Sequence, residues 1–238
     1  MNPETFLKEV GQHQMTVLLD DELYRHLRFQ AVDSEGRRQS PCWFDVITSP
    51  GLLVYTGDMG AYCFRRLDDM LVFFRRGAEH GTASIDMRYW AEKCVSQDKS
   101  GIERFDVALF RRRLDEEAQQ LLDGLADQEL VEARDALAEL REEVETADDQ
   151  SEIGLYRLVL DFEMDGRHPF SDFYEVNAKS FTHHFTWCCY ALAWAVSQYD
   201  NHRAGLNRTP AHHGEPNSPA DDLVETMTDG SAHLQERP

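Results

Sequence analysis

Basic side chains are scarce in this chain: 24 Lys and Arg stand against 44 Asp and Glu, a formal net charge of -20 over 238 residues. A polyanionic ligand would be repelled by that excess, so direct nucleic-acid binding is not expected, whereas a partner that is itself basic is. Cysteine patterns that staple secreted domains or hold zinc are missing too. The five cysteines are odd in number and irregularly spaced, with no CxxC, and Cys188 and Cys189 adjoin inside an apolar run. Reduced thiols in a cytoplasmic compartment are therefore expected. Long apolar runs are lacking as well. The longest, 185–196, has 12 residues interrupted only by Thr186, too short to span a bilayer. The opening MNPETFLKEV has neither the basic start nor the apolar stretch of a signal peptide. A soluble protein with no membrane contact is the expectation.

Catalytic signatures are also absent. There is no GxSxG, HExxH, GxGxxG or GK[ST], so no catalytic residue and no cofactor is assigned. Thr56-Gly57-Asp58-Met59-Gly60 reads as a hairpin turn rather than a phosphate cradle. His183 and His184 are adjacent on a helix and point apart, so they do not form an i, i+4 chelate. One alternative keeps an enzyme in play: Asp45, Asp58 or His26 converging in a cleft to act on a nucleotide or nucleic acid.

What is present is core material, 42% hydrophobic and 11% aromatic. The pattern predicts an α+β fold, an N-terminal antiparallel β-meander of about five strands packed with C-terminal helices. Asn2-Pro3-Glu4 starts a short helix. Strands follow at 15–19, 24–31, 42–48, 52–56 and 61–64, separated by turn formers. Leu67, Met70, Leu71 and Phe74 then set an apolar helical stripe, and Tyr89, Trp90 and Cys94 suggest a further helix ending near 97–101. Two seams, Leu114-Ala118-Leu121-Leu125 and Leu130-Ala133-Leu137-Leu140-Val144, are out of phase across Gly124, which predicts a helical hairpin with Asp127 capping its second arm. A helix at about 179–199, aromatic on nearly all sides, is expected at the centre of the fold, holding the other helices to the sheet. One domain over 1–201 is expected, with the sheet part at about 13–66 and the helical part at about 67–201. The polar stretch 202–238 reads as a flexible tail.

Charge is very unevenly placed. Between Asp115 and Glu152, 15 Asp or Glu face only Arg134 and Arg141. Glu132, Asp135, Glu139, Glu142, Glu143 and Glu145 are the candidate partner-binding face, a rod of carboxylates that can stand in for a phosphate backbone. The stretch from Asp161 to Asp172 overlays an EF-hand loop, with Asp161, Glu163, Asp165 and Asp172 as candidate calcium ligands and Gly166 at the sharp turn. Pro169 and the short Asp172 depart from that pattern, and no second hand is present.

Three stretches, CWFDVITSPGLLVYTGDMGAYCFRRLDDMLVFFRR (42–76), MRYWAEKCVSQDK (87–99) and FTWCCYALAWAVSQYD (185–200), together resemble a family of hypothetical proteins of tailed phages and prophages. The resemblance covers about the first 200 residues. It implies a bacterial host cytoplasm and an accessory role, such as an inhibitor of host defence or of host nucleic-acid enzymes, and it transfers no site residues. The leading functional expectation is thus a non-enzymatic acidic protein that binds a basic host protein. A structural phage component that homo-oligomerises through the helical seam is a further alternative.

Overall fold

A computed structural model describes residues 1–77 and 85–208. Helix α1 (Pro3–Glu9) begins as read, with the Asn2 side chain accepting from the Thr5 N–H at 2.8 Å. A six-stranded antiparallel sheet follows in chain order: β1 (His13–Asp21), β2 (Tyr24–Ala31), β3 (Phe44–Ser49), β4 (Leu52–Gly57), β5 (Gly60–Phe64) and β6 (Cys94–Gln97). The expected meander is there, with one strand more. Residues 94–97, read as the end of a helix, instead pair with β5, because helix α3 (Met87–Glu92) is short and stops at Lys93. Helix α2 (Met70–Gly77) carries the anticipated stripe.

Alternation divides the sheet into two faces. Leu27, Phe29, Phe44, Val46, Leu53, Tyr55, Tyr62 and Phe64 are fully buried on one. His26, Arg28, Asp45, Thr56 and Cys63 lie on the other, as the register requires. The buried face is covered by α1, α2, α3 and the long helix α7 (His183–Arg208). Rings interlock across that layer. Phe29 and Phe44 stack at 4.7 Å, Trp187 meets Phe44 edge-on at 5.5 Å, and Phe6 meets Trp187 at 5.2 Å. The central aromatic helix is therefore present, with two shifts in its bounds. It starts at His183 because 179–181 forms a strand, and it runs on through 202–208, which had been assigned to the tail. The rest of the expected tail, 209–238, lies outside the described residues.

Between β6 and α7 the chain makes an excursion: β7 (Glu103–Phe105), α4 (Val107–Asp123), α5 (Asp127–Thr146), α6 (Glu152–Asp161), a single 3-10 turn at Phe173–Glu175, and β8 (Lys179–Phe181). β7 and β8 pair antiparallel and close its neck. The expectation that these helices cover the sheet is corrected here. They bury their apolar faces on one another, Phe110, Leu114, Ala118, Leu122, Ala133, Leu137, Leu140, Val144, Leu155 and Val159 forming a second core distinct from that of the sheet. Most of the seam is thereby packed inside the chain, with Leu121, Leu125 and Leu130 only partly buried. The cap reading is corrected too, since Ala126 occupies the N-cap of α5 and makes no side-chain cap bond.

Gly57, at the end of β4, lies against the backbone of Trp43 and Phe44 with no room for a side chain. A Cβ there would lie 2.3 Å from the Trp43 carbonyl oxygen and 2.8 Å from Phe44 Cα, both backbone atoms that cannot step aside. Gly57→Ala is expected to cost about 1–3 kcal/mol through overpacking, read as a lower urea midpoint. An unchanged midpoint would contradict the close approach.

Candidate functional site: an acidic helical face

The excursion places the charge. With Leu137, Leu140 and Val144 turned inward, helical periodicity carries the intervening residues of α5 outward. Glu132, Asp135, Glu139, Glu142, Glu143 and Glu145 are all exposed. Glu132, Asp135, Glu139 and Glu142 step by three and four, which aligns them on one helix face. At a rise of 1.5 Å per residue that is one carboxylate every ~5 Å.

Cations gather at the base of the hairpin. Arg111 binds Glu145 at 3.0 Å, Arg141 bridges to Asp115 on the other arm at 2.6 Å, and Arg113 holds Glu116 at 2.6 Å. Among the described residues Glu132, Asp135, Glu139, Glu142 and Glu143 enter no ion pair. Five of the six anticipated carboxylates are thus exposed and unneutralised; Glu145 is tied to Arg111. Exposed charges of this kind act within about 8 Å at physiological salt. They attract a cationic surface without needing to be desolvated in the free protein.

The structure does not bring the four candidate calcium ligands together. Asp165 and Gly166 both have positive φ, 53° and 70°, and Met164 and Arg167 exchange backbone hydrogen bonds across them at 2.9 and 3.0 Å. That is a two-residue hairpin turn of type I′, the other conformation an Asp-Gly pair favours. Asp161 leans on Arg157 at 3.5 Å, while Glu163, Asp165 and Asp172 are exposed. Among the described residues no three His, Cys, Asp or Glu side chains are grouped to hold a metal ion.

Of the residues proposed for an enzymatic cleft, two meet. Asp45, 4% exposed on the outer face of the sheet, lies 2.9 Å from His26 Nε2 and accepts from Arg28 Nε and Nη2, each at 2.8 Å. Burial alone would raise the Asp45 pKa; hydrogen bonds from Arg28 and His26 outweigh it and hold the carboxyl below its ordinary range. A carboxylate saturated in this way is a poor general base. Asp58 sits exposed in the β4–β5 turn, with no side-chain bond to the pair among the described residues.

A second polar cluster had no signal in the sequence, because its members lie 84 positions apart. Ser100 Oγ and His184 Nδ1 are 3.1 Å apart. Asp98 is held low by the Ser100 backbone N–H and then by the Ser100 hydroxyl. The carboxylate is thus hydrogen-bonded to the serine and feels His184 only as a nearby charge, the reverse of the order a proton relay needs. The cluster ties the β6–β7 loop to the start of α7. The five cysteines are free, and burial pushes the Cys188 and Cys189 thiols well up, away from the reactive thiolate. No helix among the described residues is long and apolar enough to cross a membrane.

Searches against protein-family models, curated proteins and solved structures found no match to the chain.

Because its pKa is depressed on folding, Asp45 contributes stability that is present above its unfolded value of about 4 and is lost as the pH falls through the folded value. Asp45→Asn is expected to lower stability at pH 7 by about 1–2 kcal/mol, after allowance for solvent around Arg28. Urea titrations should show variant and parent converging as the pH falls below the ordinary carboxyl range. A deficit that stays constant with pH would assign the effect to packing rather than to charge.

Proposed function

We propose that this is a non-catalytic binding protein whose acidic helical hairpin engages a basic protein in place of a phosphate backbone. The observation that carries the reading is the unneutralised file of carboxylates on α5. Two features support it. The hairpin has a core of its own, so its outer face is free of structural duty toward the sheet. The polar clusters elsewhere are internally satisfied rather than poised for chemistry. The partner class follows from charge: a protein that normally grips DNA or RNA presents lysines and arginines at the spacing of an anionic strand, and a rigid anionic helix meets them without a flexible backbone to order. In the phage-accessory setting suggested by the resemblance, such a partner is a nucleic-acid-binding or defence protein of the bacterial host. The free thiols are in keeping with a reducing cytoplasm.

Capture from bacterial lysate by the immobilised protein tests this. Reversing Glu132, Asp135, Glu139, Glu142 and Glu143 to Lys should weaken the captured partner's binding by at least about tenfold, and raising salt from low to physiological levels should weaken the parent in the same direction. A partner held equally well by parent and reversed protein, and indifferent to salt, would overturn the reading.

A further inference from the structure

Helix α6 leaves one large apolar residue, Ile153, outside the second core, beside Tyr156 and Leu160, which are only partly buried against it. Leu155 and Val159 point inward, yet Ile153 is 81% exposed, and with Tyr156 and Leu160 it lines a shallow hollow of about 420 Å³. A second hollow of about 440 Å³ adjoins it through Glu152 and Tyr156 and reaches Tyr174, itself 62% exposed. The Tyr156 hydroxyl donates to the Val176 carbonyl, which fixes the wall between them. Ile153 and Tyr174 thus expose apolar surface on two adjoining hollows that share Glu152 and Tyr156.

Charge decides what kind of partner. The two cations at the rim are occupied, Arg157 by Asp161 at 3.5 Å and Lys179 by Glu152 at 3.1 Å. Glu175 beside Tyr174 is exposed and makes no ion pair among the described residues, so the lining carries Glu152, Asp161 and Glu175 against Arg157 and Lys179. The rim is therefore net negative. A second copy of a chain at -20 would bring like charge to like. The chain's own residues 209–238 carry six carboxylates against Arg237, and are disfavoured for the same reason.

We propose that these two adjoining hollows receive one amphipathic helix of the basic partner, one apolar side chain seated against Ile153, Tyr156 and Leu160 and a second against Tyr174, while its lysines or arginines meet the rim carboxylates. The inference rests on the reading that the helical excursion binds a basic protein, and it adds the anchor that charge alone does not provide. Long-range attraction sets the encounter rate, whereas a desolvated apolar contact sets the lifetime of the complex.

The probe is a labelled synthetic Leu/Lys peptide with its leucines on one helical face, followed by fluorescence anisotropy against the full-length protein. Two control peptides have the same composition with the leucines scattered, or Glu in place of Lys. The facially amphipathic Lys peptide should bind at least about tenfold more tightly than the scattered one, and Ile153→Asp or Tyr174→Ala should abolish that preference. Ile153 is a surface residue, so the melting temperature of Ile153→Asp should match the parent's and exclude misfolding as the cause. If both Lys peptides bind alike and only charge reversal on α5 weakens them, the hollows are no anchor while the acidic-face reading stands. If neither Lys peptide binds, both readings fail. Equal binding of the Glu peptide, a fall in solution mass on Ile153→Asp, or displacement of the Lys peptide by a synthetic 209–238 peptide would each assign the hollows a different occupant and overturn the proposal.

Discussion

Trp187 joins three parts of the molecule that are far apart in the chain. Its ring meets Phe6 of α1 and Phe44 of β3, and its indole N–H donates to Glu9 at 2.8 Å, across 178 positions. The sheet has one apolar face, and covering that face is the constraint from which the rest follows. Because the cover is largely α7, at the far end of the described residues, the core is completed by the last helix among them. Everything between β6 and α7 must leave the sheet and return to it, and β7 paired with β8 closes that departure at its root.

An excursion of this kind has to be self-sufficient. The three helices achieve it with Leu, Ala and Val seams that meet one another, plus Phe110 and Phe173 packed at 5.4 Å near the neck. Small seam residues such as Ala118 and Ala133 let the helices approach closely. No surface of the hairpin is then owed to the sheet. Carboxylates can cover the outside of α5 at little cost, since each keeps its hydration. Arg111 and Arg141, by contrast, sit where the two arms meet and hold them together across the hairpin. Charge on the hairpin thus follows topology in the main, with Arg111 and Arg141 at the joint and the carboxylates of α5 on its free face beside one exposed cation, Arg134.

Much of this was legible before any coordinates. Asn2-Pro3 marked a helix start, Pro50-Gly51 and Gly57-Gly60 marked hairpins, and Gly124 marked the break between the helical arms. Each is a local signal, in which one residue type satisfies a backbone demand within four positions. The misreadings share the opposite property. Residues 94–97 and 179–181 are short strands whose state is set by the strand beside them, not by their own composition. The Asp-Gly pair at 165–166 suits a cation loop and a tight hairpin equally well, and only the backbone bonds between Met164 and Arg167 choose. Ser100 and His184 come together solely because the β6–β7 loop lies against the first turn of α7.

By itself, the order of residues determined which faces are apolar, where the chain breaks, and that the excess acid belongs to one pair of helices. These follow from periodicity and backbone stereochemistry, which act over a few residues and need no partner. Only the tertiary structure decided which apolar faces cover each other, and with that the existence of two cores rather than one, the unneutralised state of the α5 carboxylates, and the exposure of Ile153. Side chains many positions apart meet or miss according to the path of the whole chain, and burial and charge pairing depend on that path.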